Sequence, residues 1–421
     1  MRLLLSAYAC EPGSGSEPGV GWNWAIELAA LGHEVWVLTR ANNRQRIERA
    51  LDSQAGGRRP HFLYFDLPRW AAWWKRGGRR VQLYYYLWQI GALRVARQAH
   101  ARIQFEAVQH LTFGVFRQPS LMGRLGIPFV LGPVGGGEQT PPGLRGVFPL
   151  KDRIVEGLRD VANVIMLRDP LVKDTYTRAA IVLTKTPDTL ARIPEAARAR
   201  ARCFLEVGLA SHAIAARPAE PWSGGSFRLL YVGRFVHMKG IALAIRALAH
   251  LRQAGRPVTL SMVGGGPLTP HFKRLAASLR VTDQVEWIGW TKQNELPAIY
   301  RAHHAFLFPS LHDSSGNAVL ESMAHGLPVI CLDVGGPAAV AGAEAAMIVA
   351  TGSRHESDVV KALAGAVTEL MASPSLHAAK SKAALERARS MTWRAVVSRV
   401  WQPAAAGAGR FPAPTFSFGD K

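Results

Sequence analysis

The sequence predicts an α/β protein of two doubly wound domains facing a central cleft. Three observations carry this. The chain has 421 residues, too many for one ordinary domain. Short apolar runs alternate with helical patterns, the signal of strand–helix–strand units and parallel sheets. The alternation pauses at residues 213–225, a stretch rich in Ala, Pro, Gly and Ser, and then restarts. A hydrophobic content of 48% is ample for two packed cores.

In the first half, residues 3–8 read as a strand, 19–31 as a helix and 34–39 as a second strand, one complete strand–helix–strand unit. Further strands are expected at 61–65, 107–111, 128–132 and 180–184, with a long helix at 83–103. The loop after the first strand carries Gly13 and Gly15. It departs from a dinucleotide fingerprint, because Pro18 stands at the third glycine position and no acidic ribose partner follows the second strand. It reads as a flexible cleft wall. Gly135 and Gly136 lie in a second glycine-rich loop, Gly132-Pro133-Val134-Gly135-Gly136-Gly137-Glu138. His110, near the end of the 107–111 strand, is either a satisfied structural histidine or a hydrogen-bond donor to substrate.

The second half restarts with strands at 227–233, 258–263, 285–288, 305–308 and 328–332, and a helix at 240–254. Ligands of such sheets bind beyond the C-terminal strand ends. Arg234 and Lys239 leave the first of these ends, where two cations stabilise a departing diphosphate. Solvated loop charges are the competing account. Gly264, after the 258–263 strand, permits close backbone approach to a ligand or simply a tight turn. Gly289, between Trp287 and Trp290, borders a nucleobase or a core edge. The densest motif runs from His312 to Val329. Asp313 precedes, and Glu321 lies within, a short helix expected at 317–325, ended by Gly326 and Pro328. Ser314 or Ser315 is expected to cap it, so that the first turn offers N–H groups to an anion. Both carboxylates can then face one ligand.

The net charge of +21 attracts anionic lipid, nucleic acid or polyanionic substrates. Residues 70–80 (Trp70 to Arg80) mix tryptophans with cations, as interfacial membrane segments do. Nucleic-acid binding is the weaker reading of that mixture. The expected place is the cytoplasm, peripheral on the inner face of the cytoplasmic membrane. No apolar run reaches the roughly 18–20 residues of a membrane span. Cys10, Cys203 and Cys331 are widely spaced, which fits a reducing compartment. No His, Cys or carboxylate spacing suggests a protein-bound metal or other cofactor.

Taken together, the segments Gly233–Gly240, Val-Gly-Gly-Gly-Pro at 263–267 and acidic-x7-Glu at Asp313–Glu321 resemble retaining glycosyltransferase family 4, over roughly residues 1–402. The Gly-Ser-Glu-Pro-Gly-Val-Gly-Trp stretch near the start and the loop at 132–138 resemble a bacterial subgroup tied to surface polysaccharide assembly. The resemblance implies the GT-B fold, of two Rossmann-like domains. Residues 1–210 would form the acceptor-side domain, 211–226 a linker and 227–390 the nucleotide-sugar domain. Residues 391–402 would be a helix crossing back to the first domain, and 403–421 a disordered tail. The resemblance further implies that Arg234 and Lys239 bind the donor diphosphate, that Glu321 holds the nucleotide ribose, and that Asp313 bonds sugar hydroxyls. Backbone groups of Gly316, Asn317, Ala318 and Val319 would hold phosphate, and His110 would touch the transferred sugar. The loops at Gly13–Gly15 and 135–137 would shape the acceptor side. The family usually has Glu where this chain has Asp313, a carboxylate set back by about one methylene.

The expectation is therefore a metal-independent transferase. It would move a hexose from a UDP- or GDP-linked sugar to a lipid-linked or growing glycan. The rivals are a nucleotide-sugar epimerase of the same fold, which needs no acceptor, and a non-catalytic basic nucleotide- or nucleic-acid-binding protein.

Overall fold

The computed structural model describes residues 1–53, 56–68, 70, 80–219 and 222–402. It divides into two compact units. The first holds Met1–Gly137, Ala162–Gly208 and the chain from Trp393; the second holds Glu138–Val161 and Leu209–Thr392.

Among the described residues, the first unit has seven strands: β1 (Arg2–Ala7), β2 (Glu34–Thr39), β3 (His61–Tyr64), β4 (Ala107–Thr112), β5 (Phe129–Val134), β6 (Ile181–Thr184) and β7 (Ala201–Cys203). They form one parallel sheet in the order β3-β2-β1-β4-β5-β6-β7. The second unit repeats the plan with β8 (Phe227–Val232), β9 (Val258–Val263), β10 (Val285–Gly289), β11 (Ala305–Phe308), β12 (Val329–Leu332) and β13 (Ala346–Val349). Their order is β10-β9-β8-β11-β12-β13, again all parallel. Both sheets are thus doubly wound and Rossmann-like, with the order reversing between β1 and β4 and between β8 and β11. Strands β4, β5, β11 and β12 are buried along their whole length, as a parallel sheet covered on both faces requires.

The helix Val81–Ile103 buries Tyr85, Trp88, Ala92, Ala96 and Ala99, a stripe at helical spacing in the first core. The first helix runs Ser16–Ala30 rather than 19–31, because Pro18 falls in its first turn, where no amide donor is needed. The helix Trp393–Val400 packs on it. Beyond it, the Trp401 indole donates to Gln109 Oε1 at 2.6 Å, and the Gln402 carbonyl lies 3.0 Å from His33 Nε2.

Two expectations about organisation need correction. Residues 138–161, expected with the first half, belong to the second unit because their polar groups bind there. Asp152 pairs with His237 at 3.0 Å and the Ser314 hydroxyl donates to Glu138 at 2.7 Å. The 211–226 stretch is tied down where described. Ala215 N–H donates to the Ala324 carbonyl at 2.7 Å, and Ala219 N–H to Ser381 Oγ at 2.9 Å. The expected tail at 403–421 and the middle of the tryptophan–arginine segment, 71–79, lie outside the described residues. No helix among the described residues is long and apolar enough to cross a membrane.

Candidate active site

In the second unit, the chain leaving β8 and the chain leaving β11 meet at the point where strand order reverses. The first supplies Lys239, at the end of a short 3-10 turn His237–Lys239; the second supplies Asp313. Their side chains form an ion pair through Asp313 Oδ2. The other carboxylate oxygen accepts the backbone N–H groups of Ser315 (3.2 Å) and Gly316 (3.4 Å). This is the local turn that a short Asp side chain makes and a longer Glu cannot match in the same way. Burial pushes the Asp313 pKa up, but Lys239 and the two N–H groups outweigh it, and the carboxyl titrates below its ordinary value. The Lys239 ammonium also sits 5.4 Å from the Phe308 ring centre.

The short helix runs Asn317–Met323. Neither serine caps it, which corrects the expectation. Gly316 is the N-cap, at φ 70°, and the Ser314 hydroxyl turns to Glu138. The Val319 N–H donates to the Gly316 carbonyl at 3.0 Å, and the Gly316 N–H to Asp313, so these two amides are engaged within the loop and helix. Glu321 accepts from the Tyr300 hydroxyl at 3.2 Å. Burial raises its pKa, partly offset by that bond. The helix ends before 325 because Gly326 adopts φ 74° and Leu327 N–H returns to the Ser322 carbonyl.

A second layer surrounds Asp313, and the sequence reading passed over it. Glu138 is fully buried; besides Ser314, it lies 4.0 Å from His312 Nε2. The Arg159 guanidinium contacts the same His312 nitrogen and donates to the Glu138 carbonyl at 3.0 Å. A guanidinium only donates, so Nε2 accepts and the ring is neutral. Burial, then Arg159, push His312 down to about 4. Glu138 was visible only as the last residue of a glycine-rich loop. Arg159 carried no signal, because the two site residues it reaches, Glu138 and His312, are 21 and 153 positions away.

The remaining expected residues fall at strand ends. Arg234 follows β8, is exposed, and has no side-chain hydrogen bond or ion pair among the described residues. Gly264 follows β9 at φ 122°, where a Cβ would stand 2.1 Å from the Gly233 carbonyl oxygen; the two loops touch backbone to backbone. Gly289 ends β10, and its carbonyl accepts the Gly264 N–H at 2.7 Å.

In the first unit, Gly13 and Gly15 follow β1, while Gly135 and Gly136 follow β5. Gly135 N–H donates to the Gly114 carbonyl at 2.8 Å. His110 lies inside β4, buried, with Nε2 3.3 Å from the Tyr85 hydroxyl. Burial pushes its pKa down to about 4, against the Phe113 backbone. Among the described residues, no three His, Cys, Asp or Glu side chains gather as a metal site would need.

Comparison with solved structures defines the fold, which is that of the GT-B glycosyltransferases. The chain aligns with WaaG, a glycosyltransferase involved in lipopolysaccharide biosynthesis, at a TM-score of 0.57 and 16% identity, covering 94% of this chain and 98% of that one. It aligns with Alr3699/HepE of Anabaena, solved with UDP and glucose, at 0.58 and 13%, covering 95% and 98%. At such identities the likeness is one of fold. More particularly, residues 214–387 match the family model for glycosyl transferases group 1. The 2-deoxystreptamine glucosyltransferase of Streptomyces kanamyceticus is 36% identical over 116 residues, 28% of this chain and 30% of that protein. The first curated relatives are matched over about a third to a half of their own length.

Proposed function

We propose that the protein is a metal-independent, retaining glycosyltransferase of family 4. It moves a hexose from a UDP- or GDP-linked sugar to a lipid-linked or growing glycan in surface polysaccharide assembly. It works at the inner face of the cytoplasmic membrane, and residues 70–80 contribute to that contact. The observation that carries the reading is the Lys239–Asp313 ion pair beyond the ends of β8 and β11, where sheets of this order bind ligands. The group 1 match covers this unit. The UDP and glucose bound to HepE and the lipopolysaccharide role of WaaG are in keeping with the donor and acceptor proposed.

In this reading the ion pair holds Lys239 in position before substrate arrives. The donor diphosphate takes over the ammonium, with Arg234 beside it, and Asp313 Oδ2 becomes available to a sugar hydroxyl. Preorganised cations facing the developing charge lower the barrier to departure. Asn317 and Ala318 give the phosphate its backbone N–H groups, since those of Gly316 and Val319 are engaged. Glu321 accepts from the ribose, and Gly264 and Gly289 let backbone approach the nucleotide. In the first unit, the loops at Gly13–Gly15 and Gly135–Gly136 shape the acceptor side. The acceptor hydroxyl bonds to the anomeric carbon on the face the diphosphate leaves, and the leaving phosphate oxygen takes its proton.

The test is a panel of nucleotide sugars given to the parent chain, Lys239→Ala and Glu321→Ala, with membrane extract as acceptor source and mass-spectrometric detection of product. The parent should transfer from one donor and both variants should lose most of that rate while remaining folded. Undiminished transfer in both would sink the assignment.

A further inference from the structure

The helix Leu150–Met166 is built inside out. Its acids lie on the other side: Asp152 pairs with His237 at 3.0 Å and Asp160 with Arg145 at 2.9 Å, while Glu156, 13% exposed, pairs within the helix with Arg159 at 2.9 Å. Its apolar side chains face outward. Leu150, Ile154, Leu158, Val161 and Ile165 recur at three- and four-residue spacing, and each is between 55% and 71% exposed. With Val155 and Val164 they are seven of the thirteen large apolar side chains left exposed among the described residues. At about 1.5 Å per residue the stripe is some 22 Å long. A soluble helix normally points such a stripe at its core.

Charge indicates the occupant. At 100° per residue, Lys151 falls toward one border of the stripe and Arg153 toward the other; both are exposed, and Arg168 follows just beyond the helix end. The helix presents no acid on this side, and the whole chain carries +21. Aliphatic side chains of this kind flanked by cations suit the boundary between anionic headgroups and acyl chains.

We propose that the outward face of Leu150–Met166 is a membrane-docking surface that lies in the headgroup layer of an anionic bilayer. It is a segment of the chain other than residues 70–80, and it stands or falls independently of the transferase reading.

The test uses the full chain and vesicles of pure phosphatidylcholine or of phosphatidylcholine with roughly one third phosphatidylglycerol. The parent should sediment with the anionic vesicles, less so as salt rises. The triple change Ile154→Gln/Leu158→Gln/Val161→Gln should lower partitioning roughly tenfold or more, with an unchanged melting temperature, since the side chains removed are exposed. Trp70→Ala is measured alongside, to separate the other segment. A fluorophore on Leu158→Cys, in a Cys203→Ser background, should shift to the blue on anionic vesicles. Parent-like binding by the triple variant together with an unshifted fluorophore would overturn the proposal. So would light scattering showing a parent dimer that the triple variant turns into a monomer, with no vesicle binding by either; a second copy would then be the cover.

Discussion

Asp313 is a residue whose charge is held by its surroundings. It is largely buried, and its carboxylate persists because Lys239 and two backbone amides face it. Lys239→Met should therefore cost on the order of 3 kcal/mol in denaturant unfolding at pH 7, by stranding a buried charge. The double variant Lys239→Met/Asp313→Asn should recover most of that loss. Glu321 is the opposite case. Its pKa is raised by burial, so the folded state binds the proton more tightly than the unfolded chain, and stability falls as pH rises through that window. The ionised carboxylate is then a cost at neutral pH. Glu321→Gln should melt at the same temperature or higher, while titration calorimetry shows weaker binding of the donor. A gain in stability together with a loss of affinity is the expected signature of a group retained for its ligand.

At the scale of elements, the site is an assembly of loops leaving strands. The Gly264 turn packs backbone against backbone on Gly233, next to Arg234. Gly264→Ala should push the two loops apart. A loss of a few kcal/mol or less in stability is expected, with a rise in KM for the donor, measured by initial rates. Most strands were legible in the sequence because buried parallel strands are continuous apolar runs bounded by glycine. The exceptions were one edge strand of each sheet. β7 has three residues and β13 follows an alanine-rich helix, so neither breaks the local pattern. In the site, the motif residues Lys239, Asp313 and Glu321 were legible as short-range patterns. The second layer was not, because Glu138, Arg159 and Tyr300 reach the motif from other elements. Local reading also misplaced the serines: Ser314 resembles a cap in sequence, yet its hydroxyl finds a buried carboxylate 176 positions away.

At the scale of the whole molecule, burial holds several histidines below their ordinary pKa. His110, His304, His312 and His325 are each pushed down to about 4, first by burial and, for the last three, also by arginines. Between about pH 6.5 and 4 the unfolded chain takes up protons that the folded chain refuses, so stability falls as pH falls through that window. The urea midpoint should drop steadily from pH 6.5 downward, and His325→Gln should flatten that slope.

The last described helix has a consequence for how the protein is made. Trp393–Val400, Trp401 and Gln402 complete a unit that begins at Met1, while residues 138–161 belong to the unit that finishes at Thr392. Neither unit is a continuous piece of chain. During synthesis the amino-terminal sheet emerges first but must wait, with β4 lacking its Trp401 neighbour, until residues 393–402 have left the ribosome. Its maturation is therefore expected to follow that of residues 209–392, and nascent chains stalled before residue 393 should remain sensitive to protease in that unit.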